Sequence, residues 1–184
     1  MQQNIDDNKL AIGDTAPDFR LPATDGNTYG LQSFEDAKIL IIAFTCNHCP
    51  YVQAYEDRMI ALQNDYAERG VQLVAINSNE EKGYPEDSFD HMVVRALEKK
   101  FNFPYLRDKA QEAASAYGAQ CTPEFFVFDR ERTLRYHGRF DDNWEHPEAV
   151  TQYDMRDTLD TLLDGRPVPI PENMAIGCSI KWEI

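Results

Sequence analysis

The sequence predicts an α/β domain: a central mixed sheet with helices on both faces, an N-terminal extension and a C-terminal tail. Three observations predict it. Residues 39–44, Ile-Leu-Ile-Ile-Ala-Phe, are apolar without alternation, as in a strand buried on both sides. A second such run, 71–77, follows a long helical pattern, so strand, helix and strand form a crossover with a parallel pair. Farther on, 124–129 and 133–137 flank a tight turn at Arg130-Glu131, the pattern of an antiparallel hairpin.

Taken in order, residues 1–14 read as a polar lead-in. Asp18 to Leu21 alternates and meets a turn at Asp25-Gly26. After the first buried strand, Val52, Tyr55, Met59, Leu62 and Tyr66 recur at helical spacing, predicting a helix from Tyr51 to Arg69 that stops at Gly70. Ser78 to Asp87 is a polar loop, in which Glu80 and Glu81 read as solvated charge. Ser88 is placed to cap a helix over Phe89 to Lys100. A short extended piece, Phe103 to Leu106, precedes a helix from Lys109 to Tyr117 ended by Gly118. The last predicted helix runs from Glu148 to Leu163 and stops at Gly165. Pro167, Pro169 and Pro171 open a tail that closes on Gly177-Cys178-Ser179-Ile180-Lys181-Trp182. One domain spans 1–184, with its core over about 12–164 and the tail over 165–184.

The chain has 184 residues, enough for one core without a covalent staple. Its hydrophobic content of 42% and charge of 27% are those of a soluble globular protein. A net charge of −14 disfavours nucleic acid and anionic membrane surfaces. No apolar run approaches a membrane span, and the N-terminus has neither a basic start nor an apolar stretch, so the expected location is the cytoplasm. The four cysteines are Cys46, Cys49, Cys121 and Cys178. Few and partly clustered cysteines point to catalysis or metal rather than to a disulfide scaffold.

Cys46-Asn47-His48-Cys49 carries the chemistry. Two cysteines three apart can close a small disulfide ring. Here they stand where a buried strand hands over to a helix, beside backbone N–H groups with no intrahelical partner. That setting favours the reactive thiolate. The dipole alone supplies about 0.3–1 kcal/mol, so direct N–H bonds to sulfur or a protonated His48 must add to it. His48 is therefore a candidate for electrostatic tuning. Pro50 leaves two registers open: with Asn47 as the N-cap it falls at N3, with Cys49 as the cap it falls at N1. The end of the strand is expected to leave Cys46 the more exposed, making Cys46 the nucleophile and Cys49 the resolving thiol. Such a cycle needs sulfurs that solvent can reach and that lie close enough to join.

Ala16-Pro17-Asp18-Phe19, the strand leading into Cys46-x-x-Cys49-Pro50, and Cys121-Thr122-Pro123 ahead of the hairpin together resemble the thioredoxin-like superfamily. Within it the chain is most similar to the peroxiredoxin-like, or redoxin, branch (alkyl hydroperoxide reductase/thiol-specific antioxidant), over roughly Ile12 to Leu163. It resembles redoxin-like proteins with a Gly-Cys-Ser-Ile-Lys-Trp tail. The resemblance implies a thioredoxin-like fold and thiol–disulfide oxidoreductase activity. It implies a cis Pro123, with the Thr122 backbone exposed to pair with an extended substrate segment. The chain departs from the peroxiredoxin pattern. If Cys49 stands for the peroxidatic cysteine, the usual Thr position holds Cys46 and the usual Pro position holds Ile42.

Cys121 reads either as a third redox thiol or as a small buried hydrophobe. Cys178 lies in a tail that can fold back over the domain and reach Cys121, although spacing does not determine connectivity. The expected partners are a protein or small-molecule disulfide or peroxide and a thiol reductant such as a thioredoxin or a low-molecular-weight thiol. No cofactor and no metal are expected. Two alternatives remain: a thiol peroxidase (antioxidant), and a Sco-like copper-binding protein using both cysteines with His137 as third ligand.

Overall fold

The computed structural model describes residues 9–184, so residues 1–8 of the expected lead-in lie outside the description. Arg20–Pro22 (β1) and Thr28–Gly30 (β2) pair antiparallel around the expected turn. Asp25 Oδ1 accepts the Asn27 N–H at 2.9 Å, and Gly26 takes a φ of 87°, which only glycine adopts freely. Ile39–Thr45 (β3), Pro50–Tyr66 (α1) and Val71–Asn77 (β4) form the strand–helix–strand unit, with β3 and β4 parallel from Ile39↔Val71 to Thr45↔Asn77. Phe89–Lys99 (α2) starts at Ser88, whose side chain accepts the His91 N–H, as predicted.

Tyr105–Arg107 (β5) lies parallel to β4. Glu112–Tyr117 (α3) ends at Gly118 but begins three residues later than the pattern predicts. Tertiary bonds override helix there. Gln111 sits at φ 59°, and its Nε2 donates to Ser78 O at 2.7 Å and Lys181 O at 2.9 Å. Cys121–Thr122 (β6) is followed by a cis Thr122–Pro123 bond, as the resemblance implies. Glu124–Phe128 (β7) and Leu134–Gly138 (β8) form the predicted hairpin. Asp154–Leu163 (α4) starts six residues after Glu148. Thr151 is tied by backbone and side chain to Asp142, and a separate 3-10 turn occupies 147–149.

The tail is not an appendage. Glu172–Asn173 (β9) pairs parallel with β8, and Cys178–Ser179 (β10) pairs antiparallel with β6. Ile180 is buried in the core. Packing therefore continues well beyond residue 164. The main sheet runs β5-β4-β3-β7-β8-β9, mixed in direction.

Period-two alternation splits the core between two faces. Leu40, Ile42 and Phe44 of β3 face α3 and the β1–β2 hairpin, with Phe126 and Tyr117 beside them. Ile39, Ile41 and Ala43 face α1, α2 and α4 through Met59, Met92 and Leu159. Every residue of β3 is buried, which is why its sequence is apolar without alternation. The carboxyl ends of β3 and β4 open onto one edge, and the CxxC loop lies there.

Candidate redox site

The loop after β3 is held by Asn47. Its backbone N–H donates to Asp87 Oδ1 at 2.7 Å, and its side-chain Nδ2 donates to Glu86 O at 2.9 Å. Its Oδ1 accepts from Tyr105 Oη at 2.7 Å, and its carbonyl accepts from Gln53 Nε2 at 2.9 Å. Cys49 is the N-cap of α1 in extended conformation, and Pro50 is at N1. Of the two registers the sequence allows, this is the one that aims the first turn's free N–H groups at Cys49.

Both sulfur-bearing residues are buried: Cys46 is 3% exposed and Cys49 is 0%. The expectation that the strand end leaves Cys46 open is not met, because Val52 and the tail close over both. Cys46 Sγ lies 3.6 Å from Thr122 Oγ1, and Cys49 Sγ donates to Thr122 O at 3.5 Å when protonated. The two thiols titrate in opposite directions. The hydrogen bond from Cys46 holds the Cys49 thiol below the ordinary range, against desolvation. Smaller contributions come from Cys178 and from the Val52 N–H, which makes no formal cap bond. The same bond, then burial and the Asp87 charge, pushes the Cys46 thiol up. A proton shared this way makes Cys49 the thiolate and Cys46 its donor.

His48 is partly exposed and stacks on Tyr84, with ring centroids 5.5 Å apart. Its Nδ1 is 2.5 Å from Asp87 Oδ2, off the direction of a ring N–H bond. Asp87 is fully buried and also accepts Asn79 Nδ2 at 2.8 Å. Sequence reasoning missed Asp87. It stands at the end of a polar loop beside a helix cap, where an acid carries no distinguishing signal. Glu80 and Glu81, the acids considered instead, bond their own loop and Arg107 with Lys109.

Donor atoms of Cys46, His48 and Asp87 lie within 4.8 Å of one another. They do not fit one ion. Two ligands of a tetrahedral centre with bonds of about 2.0 Å stand about 3.3 Å apart, whereas His48 and Asp87 are closer than that. The copper alternative also fails on its third ligand. His137 Nε2 is bonded to Glu124 Oε1 at 2.6 Å, and His137 is not grouped with Cys46 and Cys49.

Thr122 is not open for an external strand. It is 2% exposed and already paired: Cys178 is its register partner in β10. Gly177 permits the close crossing, since a Cβ there would fall 2.0 Å from Thr122 O. Cys178 meets Cys49 rather than Cys121, with Sγ atoms 2.8 Å apart. Burial, then the Cys49 sulfur, pushes the Cys178 thiol up. Cys121 faces Ser179 across the β6–β10 pair, and burial followed by Glu124 pushes its thiol up to about 12.

The sequence model of the AhpC/TSA family matches residues 12–137. A protein named thiol-disulfide oxidoreductase ResA from Halalkalibacterium halodurans is 30% identical over 118 residues, which are 64% of this chain and 62% of that protein. The crystal structure of an uncharacterized conserved protein from Geobacillus kaustophilus is 44% identical, with a TM-score of 0.90, covering 96% of this chain and 94% of that one. The thioredoxin domain of a thiol-disulfide oxidoreductase from Bacteroides vulgatus is 16% identical, with a TM-score of 0.64, covering 84% and 99%, and shares the fold.

Proposed function

The chain belongs to the AhpC/TSA (redoxin) family, and we propose that it is a thiol–disulfide oxidoreductase with Cys49 as nucleophile and Cys46 as resolving thiol. These roles are the reverse of those expected from the strand end. The observation that supports them is the place of Cys49 as N-cap of α1 with Pro50 at N1, and the opposite pull on the two thiols, Cys49 lowered and Cys46 raised, agrees with it.

Both sulfurs are covered, against the access that such a cycle needs, so the cycle requires the tail at Cys178 to move aside first. The Cys49 thiolate then bonds one sulfur of a substrate disulfide and expels the other as thiolate. Cys46 then bonds Cys49 Sγ, its proton passes towards the Asp87–His48 pair, and the second substrate sulfur leaves. Two electrons move from the protein dithiol to the substrate. A thioredoxin or low-molecular-weight thiol in the cytoplasm would restore the dithiol.

The test is dithiothreitol-coupled reduction of insulin. Cys49→Ser abolishes turnover, and Cys46→Ser, with the neighbouring Cys178 also replaced by Ser, accumulates a substrate mixed disulfide on Cys49. Trapping on Cys46 in Cys49→Ser would return the roles to those read from the sequence. A thiol peroxidase is a second reading, favoured by Cys49 as N-cap with Pro50 at N1, and predicts peroxide consumption that needs Cys49 alone.

A further inference from the structure

Cys49 is the reactive sulfur of the proposed oxidoreductase, yet it has no exposed surface. The group that covers it is itself a thiol. Cys178 is half-buried, so part of it reaches solvent, and its Sγ is 2.8 Å from Cys49 Sγ. That is about 0.8 Å longer than a disulfide bond and shorter than ordinary sulfur contact.

The tail is held there from both sides. Cys178 pairs with Thr122, and Ile180 N–H donates to Gln120 O at 3.0 Å. Lys181 N–H donates to Asn79 Oδ1 at 2.9 Å, and Glu183 N–H donates to Gln111 Oε1 at 2.9 Å. The close crossing at Gly177 excludes any larger residue without lifting the strand.

We propose that Cys178 is the exchange port of this site: it takes the disulfide from the buried Cys46–Cys49 pair and presents it to an external low-molecular-weight thiol. The inference rests on the oxidoreductase reading above. In the first step Cys178 sulfur bonds Cys49 Sγ, the Cys46–Cys49 bond breaks, and the Cys178 proton ends on Cys46. No net electrons move. In the second step the external thiolate bonds Cys178 Sγ and the Cys49–Cys178 bond breaks, with Cys49 leaving as thiolate. In the third step a second external thiol, as thiolate, attacks the external sulfur of that mixed disulfide. It releases an external disulfide, and Cys178 leaves and takes up a proton. Two external thiols are oxidised and one protein disulfide is reduced.

Leaving-group chemistry favours the second step, while the first rests on the closeness of Cys178 to Cys49. Exchange is faster when the departing sulfur is the more acidic one. Attack on Cys178 expels Cys49, the sulfur that Cys46 stabilises as thiolate. The attacked sulfur also belongs to the residue of the two that is partly exposed.

The experiment oxidises the full chain with oxidised glutathione, quenches with acid, alkylates free thiols and maps disulfides by peptide mass spectrometry. In Cys46→Ser the expected product is a Cys49–Cys178 disulfide in most molecules. In Cys178→Ser, reduction of the Cys46–Cys49 disulfide by reduced glutathione is expected to slow about tenfold or more relative to wild type. Circular dichroism and the denaturation midpoint of Cys178→Ser control for loss of fold; an unfolded variant leaves the Cys46→Ser mapping to decide. Cys49 glutathionylated but unlinked to Cys178 in Cys46→Ser, a Cys121–Cys178 link instead, or an unchanged reduction rate in folded Cys178→Ser would each overturn the port. A wild type that forms Cys46–Cys49 and reduces insulin alongside any of these keeps the oxidoreductase reading. A wild type that does neither removes that reading as well.

Discussion

Cys46 and Cys49 differ because the hydrogen bonding between them pulls their thiols in opposite senses, and a neighbouring carboxylate adds to the rise at Cys46. The bond from Cys46 is the largest influence lowering the Cys49 thiol, and Asp87 adds to burial in raising Cys46. Titration of the reduced protein by thiolate absorbance should therefore show one transition below the ordinary thiol value of about 8.5. The sign follows from the shift: thiolate persists as pH falls from about 8.5 and is lost only through the lowered folded value. Cys46→Ala, which removes the donor, moves that transition upward, and Cys49→Ser removes it. Asp87 has a second task, accepting from Asn47 N–H and Asn79 Nδ2 in a dry setting. Asp87→Ala leaves both donors without a partner and should cost about 1–3 kcal/mol in denaturant unfolding. The cysteine pair was legible in the sequence, because a CxxC at a strand–helix junction is a strong local pattern; His48, expected to tune it, is not among the groups that shift either thiol. The direction of polarisation was not legible, since it depends on which cysteine caps α1, left open by Pro50, and on burial, with a smaller part from Asp87, indistinguishable in sequence from loop charge.

The strand–helix–strand unit and the β7–β8 hairpin follow from continuous apolar runs and a tight turn, and both were readable. The starts of α3 and α4 were not, because Gln111 and Thr151 spend their hydrogen bonds on distant partners. The short strands β6, β9 and β10 carry no periodicity in two residues each and are defined only by their pairing. The β6–β10 pair depends on Gly177. Gly177→Ala sets a Cβ against a backbone carbonyl that cannot rotate away, so the strand must lift. The expected result is a several-fold faster alkylation of Cys49 with faster amide exchange at Ile180, measured by mass spectrometry.

The domain is closed by its own C-terminal segment. The N-terminal part builds the dithiol at the carboxyl ends of β3 and β4, and the last residues cover it, with Ile180 anchored in the core. Ile180→Ala should lower unfolding stability by about 2–5 kcal/mol and open the cover, raising thiol reactivity at Cys49 in parallel. The sequence allows the proline-rich tail to fold back over the domain, but nothing local marks where it crosses the sheet edge. Among the described residues no helix is long and apolar enough to cross a membrane. The most direct test of the central claim, that the two thiols are polarised towards a Cys49 thiolate, is the adduct formed during insulin reduction by the two serine variants. The account predicts a disulfide on Cys49 in Cys46→Ser, to Cys178 when that thiol is present and to the substrate when Cys178 is also Ser, and none in Cys49→Ser; a stable adduct on Cys46 in Cys49→Ser would contradict it.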